Sequence, residues 1–233
     1  MWNRSKFALL TLASIHVGAA SVAMAQENAS KAAAPQAPAG YVLVEEDHWH
    51  KLADEPGLHV ARAREAFLMK DARTAAHELH KAAVHVRIAA GHAAGLEKNA
   101  LLRAAHDLEH TAQRLEDGKV ASVEEIDVAS SRALHALSHY QYVKAEDAWR
   151  KREARLAGQY LRSSANNLER AAARTDVAMR TAAANVAKES RLISGKLIEG
   201  TGFVVDEVGA GFDSIGHELE RVGTRVMPRT ASK

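Results

Sequence analysis

The sequence has no cysteine, so it can form no disulfide and offers no thiol nucleophile or thiolate ligand. Proline is nearly as scarce. Pro35 and Pro38 share one short stretch, which leaves only Pro56 and Pro228 to interrupt the remainder. Few segments alternate with the period of two that a half-buried strand requires. A phosphate-binding P-loop, a nucleotide-binding glycine fingerprint and a Gly-x-Ser-x-Gly nucleophile elbow are all missing. An excess of one charge is missing too. Arg4 and Lys6 sit at the extreme N-terminus, and the other 29 basic residues balance 29 acidic ones. With no basic block, nucleic acid is not expected as the main partner.

One long apolar run is present, at the start. Arg4 and Lys6 precede the mostly apolar stretch from Phe7 to Val22, and Ala23-Met24-Ala25 supplies a small-x-small cleavage pattern. Residues 1–25 read as a secretory signal peptide. Ser14, His16 and Gly18 break the run and disfavour a retained anchor. Residues 26–40, rich in Ala and Pro, read as a flexible leader. The expected location is therefore periplasmic, with no transmembrane segment after signal cleavage.

From Tyr41 onward Ala, Leu and charged residues dominate, and the pattern predicts an all-α protein. Helices are expected over 47–53, 57–70, 72–92, 96–116, 123–152, 154–192 and a last stretch to about 226. Ser122-Val-Glu-Glu125 predicts a capping box opening the fifth of these. The organisation expected is a helical bundle over 41–192, an amphipathic C-terminal helix over 193–226 and a short tail over 227–233.

An internal repeat supports the bundle. Shifted by 82 residues, Ala63, Ala66, Ala72, Arg73, Ala75, Leu79 and Ala83 meet identical residues. Phe67 meets Trp149, Lys70 meets Arg152 and Asp71 meets Glu153. The pattern is an aromatic near a helix end, a charged turn, and a second helix lined with small residues and Leu. It predicts a helical hairpin used twice. The segments 61-ARAREAFLMKDARTAAHELHKA-82 and 145-AEDAWRKREARLAGQYLRSSANNLE-169 are similar to the helical hairpin of the YfdX family of bacterial periplasmic proteins. That resemblance implies a helical, self-associating protein linked to stress such as acid, heat or drugs. It implies no catalytic residues.

Thirteen histidines are the compositional anomaly, twelve of them beyond the signal segment. Unperturbed imidazoles titrate near pH 6.5, so mild acid would turn a neutral protein strongly cationic. Two pairs have helical i,i+4 spacing, His106/His110 and His135/His139. On a helical projection His106 and His110 face away from Leu108, and His77 faces away from Leu79. His135 and His139 share their face with Val128, Tyr142 and Trp149, so they are the better candidates for an inter-helix site. If they meet His77 or the 106/110 pair beside Asp107 or Glu109, Zn²⁺, Cu²⁺ or Ni²⁺ would fit. Otherwise they are packed or solvated histidines, and no cofactor is required. His48 and His50 flank Trp49 as a further surface candidate. In 106-HDLEH-110 an Asp stands where a zinc protease needs Glu, and an enzyme is not expected.

The C-terminal region carries a heptad of glycines: Gly195, Gly202, Gly209, Gly216 and Gly223. Three residues after each comes an apolar residue, Ile198, Val205, Phe212, Leu219 or Val226. Each helical Gly costs about 1 kcal/mol relative to Ala, so a close contact has to compensate. The stripe predicts a self-association seam or a groove for a partner helix, or else docking on its own bundle. A break at Gly200-Thr-Gly202 would undo the single-helix reading. Two functions follow from these features. One is a non-enzymatic, stress-related helical protein acting by self-association or partner binding, pH-responsive through histidine. The other is a His-rich bundle that binds or buffers a divalent metal.

Overall fold

Alanine and leucine at helical spacing give seven helices and no strand among the described residues, 54–227 of a computed structural model. These residues lie in one unit, Val44–Lys233. The expected signal peptide and leader, the helix over 47–53 with His48 and His50, and residues 228–233 lie outside the described residues. The helices are α1 (Glu55–Leu68), α2 (Ala72–Gly91), α3 (Gly95–Glu116), α4 (Val123–Arg150), α5 (Ala154–Ala172), α6 (Val177–Glu199) and α7 (Val205–Val226). Each packs on the next in sequence, and α4 also packs on α1, α2 and α7. The core is built from small residues and Leu, with Leu79, Leu101, Leu108, Ile126, Leu161 and Leu168 fully buried.

The hairpin is indeed used twice, down to its turn. Lys70 and Arg152 are the two non-glycine residues with positive φ among the described residues, both at 64°. In the first turn Lys70 N–H donates to Phe67 O at 2.9 Å and Asp71 N–H to Ala66 O at 2.9 Å. In the second, Arg152 N–H donates to Trp149 O at 2.9 Å and Glu153 N–H to Ala148 O at 3.0 Å. This is the Schellman closure, in which a left-handed residue lets two N–H groups turn back onto the last carbonyls. Ala75, Leu79 and Ala83 are fully buried, and so are Ala157, Leu161 and Ala165.

Two boundaries and one cap differ from the sequence reading. The stretch 154–192 is two helices, because Thr175 N–H and Oγ1 both close on Ala172 O and Asp176 then caps α6 by accepting from Met179 N–H at 3.0 Å. The C-terminal stretch is broken at Gly200–Val204. Gly200 at φ 73° ends α6, and Gly202 at φ 72° lies in the connection. The helix does start at Val123 with Ser122 as its N-cap, but the capping box is not made. The Ser122 side chain makes no cap bond, while Glu125 accepts from Ala121 N–H at 3.0 Å and pairs with Arg114 at 2.6 Å. The arginine on α3 holds the carboxylate away from the reciprocal geometry.

Among the described residues, no helix is long and apolar enough to cross a membrane.

Candidate functional site

The heptad stripe lies against its own bundle. Helix α7 packs on α4, α5 and α6, and buries Val208, Phe212, Ile215, Leu219 and Val222. Of the candidate seam residues, Phe212 and Leu219 are therefore buried within the chain, Ile198 is half-buried and Val205 is exposed. The glycines divide in the same way. A Cβ on Gly216 would meet the Tyr142 hydroxyl at 2.9 Å, and one on Gly223 would meet His135 Nε2 at 2.9 Å. Gly195, Gly202 and Gly209 face open space. The close approaches are made by side chains of α4, not by another helix backbone. Backbone approach occurs at Gly158 instead, where a Cβ would meet Ser194 O at 2.8 Å across α5 and α6.

His135 is the polar centre of this interface. It is 7% exposed, and its Nε2–H donates to Leu219 O at 2.9 Å. A carbonyl only accepts, so Nε2 must carry the proton and Nδ1 a bare lone pair. Nδ1 is buried and has no hydrogen-bond partner. Burial pushes the imidazole below the usual histidine range. The Leu219 carbonyl opposes that shift, and His139 adds to it. His139 is the one titratable side chain acting on it. Beside it, Arg132 donates to Val226 O at 3.0 Å and pairs with Asp107 at 3.4 Å, which pins the end of α7. At the other end Lys196 on α6 pairs with Glu207, and Trp149 meets Phe203 edge-on with ring centroids 5.8 Å apart.

The remaining candidate ligands do not gather around His135. His77, His106, His110 and His139 are exposed. His106 and His110 stack in parallel with ring centroids 6.4 Å apart. Among the described residues no group of three or more His, Asp or Glu side chains is placed to hold a metal ion. The structure does not bring His135 and His139 together with the other candidate histidines. His135 turns under α7 and His139 into solvent.

Sequence reasoning missed a second buried imidazole. His59 Nδ1 lies 2.7 Å from Glu78 Oε2, with Glu55 at 3.8 Å, and its ring stacks on His85 at 5.3 Å. The repeat held the signal. Shifted by 82 residues, His59 and His85 fall on Gln141 and Asn167, a buried amide pair hydrogen-bonded at 2.8 Å. The second hairpin fills with amides the positions that the first fills with imidazoles. No family model, no curated protein and no solved structure matches the chain.

Proposed function

We propose that the protein is a non-enzymatic, pH-responsive helical binding protein of the periplasm, whose C-terminal helix α7 is released from its own bundle in acid to bind a partner helix or a second copy. The compartment rests on the N-terminal signal pattern, and the link to stress rests on the resemblance to the YfdX family. The release rests on one observation, the buried His135 between α4 and α7 with an unpartnered Nδ1. Protonating Nδ1 buries a charge and an N–H donor with no acceptor, and both favour undocking. Little force is required. Four glycines, at 209, 211, 216 and 223, cost α7 about 4 kcal/mol of helix stability relative to Ala. The helix therefore depends on its docking surface. Once free, the stripe of Val208, Phe212, Ile215, Leu219 and Val222 is an apolar face fit for another helix.

The absence of cysteine makes the test direct. Labels are placed on Arg150→Cys and Ser214→Cys, both at exposed positions, and their separation is followed by energy transfer from about pH 8 to about pH 5, across the ordinary histidine range. The expected result is separation in acid, together with a rise in light-scattering mass. His135→Gln keeps a donor for Leu219 O and does not titrate, so it should hold the labels together throughout. An acid response of equal size in His135→Gln, or no response in the parent, refutes the release.

A further inference from the structure

A cleft of about 550 Å³ opens where the start of α4, the α5–α6 connection and the end of α7 meet. Its walls carry four arginines from four different places in the fold, Arg132, Arg174, Arg180 and Arg225. Three acids also line it, Glu124, Asp127 and Asp176, but each is already engaged. Asp127 is held by Arg64 at 3.0 Å and reached by Arg174 at 3.5 Å. Asp176 caps α6 through Met179 N–H. Glu124 accepts a hydrogen bond from Ser122, which holds its carboxyl below the usual range. Arg132 is committed to Val226 O and Asp107. Arg180 and Arg225 have no carboxylate within ion-pair distance among the described residues, though the Arg225 charge acts on Asp176 from farther away. Ser131 and Thr175 add hydroxyls to the same walls.

We infer that this cleft is a binding site for a small organic anion bearing carboxylate or phosphate groups, gripped by Arg180 and Arg225 with Arg132 and Arg174 behind them. The volume lies within the range of small-molecule sites. Guanidinium forks match the geometry of both oxyanions. The acids cancel part of the charge, and none lies within ion-pair distance of Arg180 or Arg225, although Asp176 feels the Arg225 charge. Placement has a consequence for regulation. Arg225 belongs to α7, and Arg132 holds the Val226 carbonyl at the end of α7, so the cleft is complete only while α7 is docked. An anion that binds the docked state alone stabilises docking by mass action and delays acid release. That second statement rests on the release of α7 proposed above, whereas the site itself does not.

The test is calorimetric titration of the full mature chain at about pH 8, above the ordinary histidine range, with citrate and with inorganic phosphate as probes. Saturable binding of either one, weakened by added salt, is the expected result. Citrate alone would assign a polycarboxylate, and phosphate alone a phosphate ester. Arg180→Gln with Arg225→Gln should lower affinity at least about tenfold, as expected for loss of charge-assisted bonds. Arg180→Gln alone removes an exposed, unpaired side chain, so an unchanged melting temperature without ligand will show that weakened binding is not misfolding. Arg150→Gln, an exposed arginine outside the cleft, should bind like the parent. Absence of binding by both probes at low salt, or equal affinity in the double variant, overturns the site. The acid release of α7 is read separately by label separation without ligand, so either conclusion can fail alone.

Discussion

Burial pushes the His135 imidazole below the usual histidine range, and the sign of its contribution follows from that. Its pKa in the docked state is depressed, so the released state binds more protons. Docking is then strongest above the ordinary histidine value and is lost as pH falls through that value toward the depressed one. Each unit of depression corresponds to about 1.4 kcal/mol. The melting temperature of the parent should therefore fall more steeply below about pH 6.5 than that of His135→Gln. The glycines supply a second measurement at this scale. Gly223→Ala places a methyl 2.9 Å from His135 Nε2 and should destabilise the protein in spite of its better helix propensity. Gly209→Ala meets open space and should stabilise by about 1 kcal/mol. Opposite shifts in denaturant midpoint are expected from two glycines of the same heptad. The heptad made the stripe legible in the sequence. Which glycines are in contact was not legible, because that depends on where Tyr142 and His135 of another helix arrive. His59 escaped notice for a similar reason, since its partner Glu78 lies on a different helix with no helical spacing to announce it.

Helix ends show how local chemistry decides the elements. Lys70 and Arg152 occupy left-handed positions that favour Gly. Lys70→Gly and Arg152→Gly should each raise stability by about 0.5–1 kcal/mol, measured by equilibrium unfolding. The two turns differ in one respect. Asp71 caps α2 by accepting from Thr74 N–H at 3.0 Å, whereas Glu153 makes no side-chain cap for α5. Its extra methylene carries the carboxylate past the orphan N–H groups. Glu153→Asp should supply the missing bond and stabilise by about 0.5–1 kcal/mol. The repeated turn was legible because its residues are adjacent in sequence. The breaks at 173–176 and 200–204 were missed because apolar periodicity reports which face is buried, not whether the axis continues. Thr175-Asp176 and Gly200 carried the stop and start signals within that uninterrupted pattern.

At the scale of the molecule, two hairpins of one design carry different buried chemistry. Gln141 and Asn167 cannot titrate, whereas the positions they match in the first hairpin carry imidazoles. His85 is pushed down by burial and then by His59, while Glu55 opposes. Glu78, with Lys81 at 2.8 Å, stands on the far side of His59. Acid must place a positive charge on the partly buried His85, so the stability tied to neutral His85 is lost as pH falls. Hydrogen exchange at about pH 5 should show α1 and α2 opening before α4 and α5. Converting the first pair to the second, His59→Gln with His85→Asn, should narrow that difference. If the order of opening is the same in the double variant, the imidazole pair is not its cause.

The five-residue connection at Gly200–Val204 would keep a released α7 tethered to its docking surface. Its rebinding is then intramolecular, at an effective concentration on the order of millimolar for so short a link. Under the proposed release, a free partner helix would compete against that local concentration at neutral pH and gain access only when protonation weakens the resident. The protein would then be its own competitive inhibitor, with proton concentration setting the strength of the inhibition.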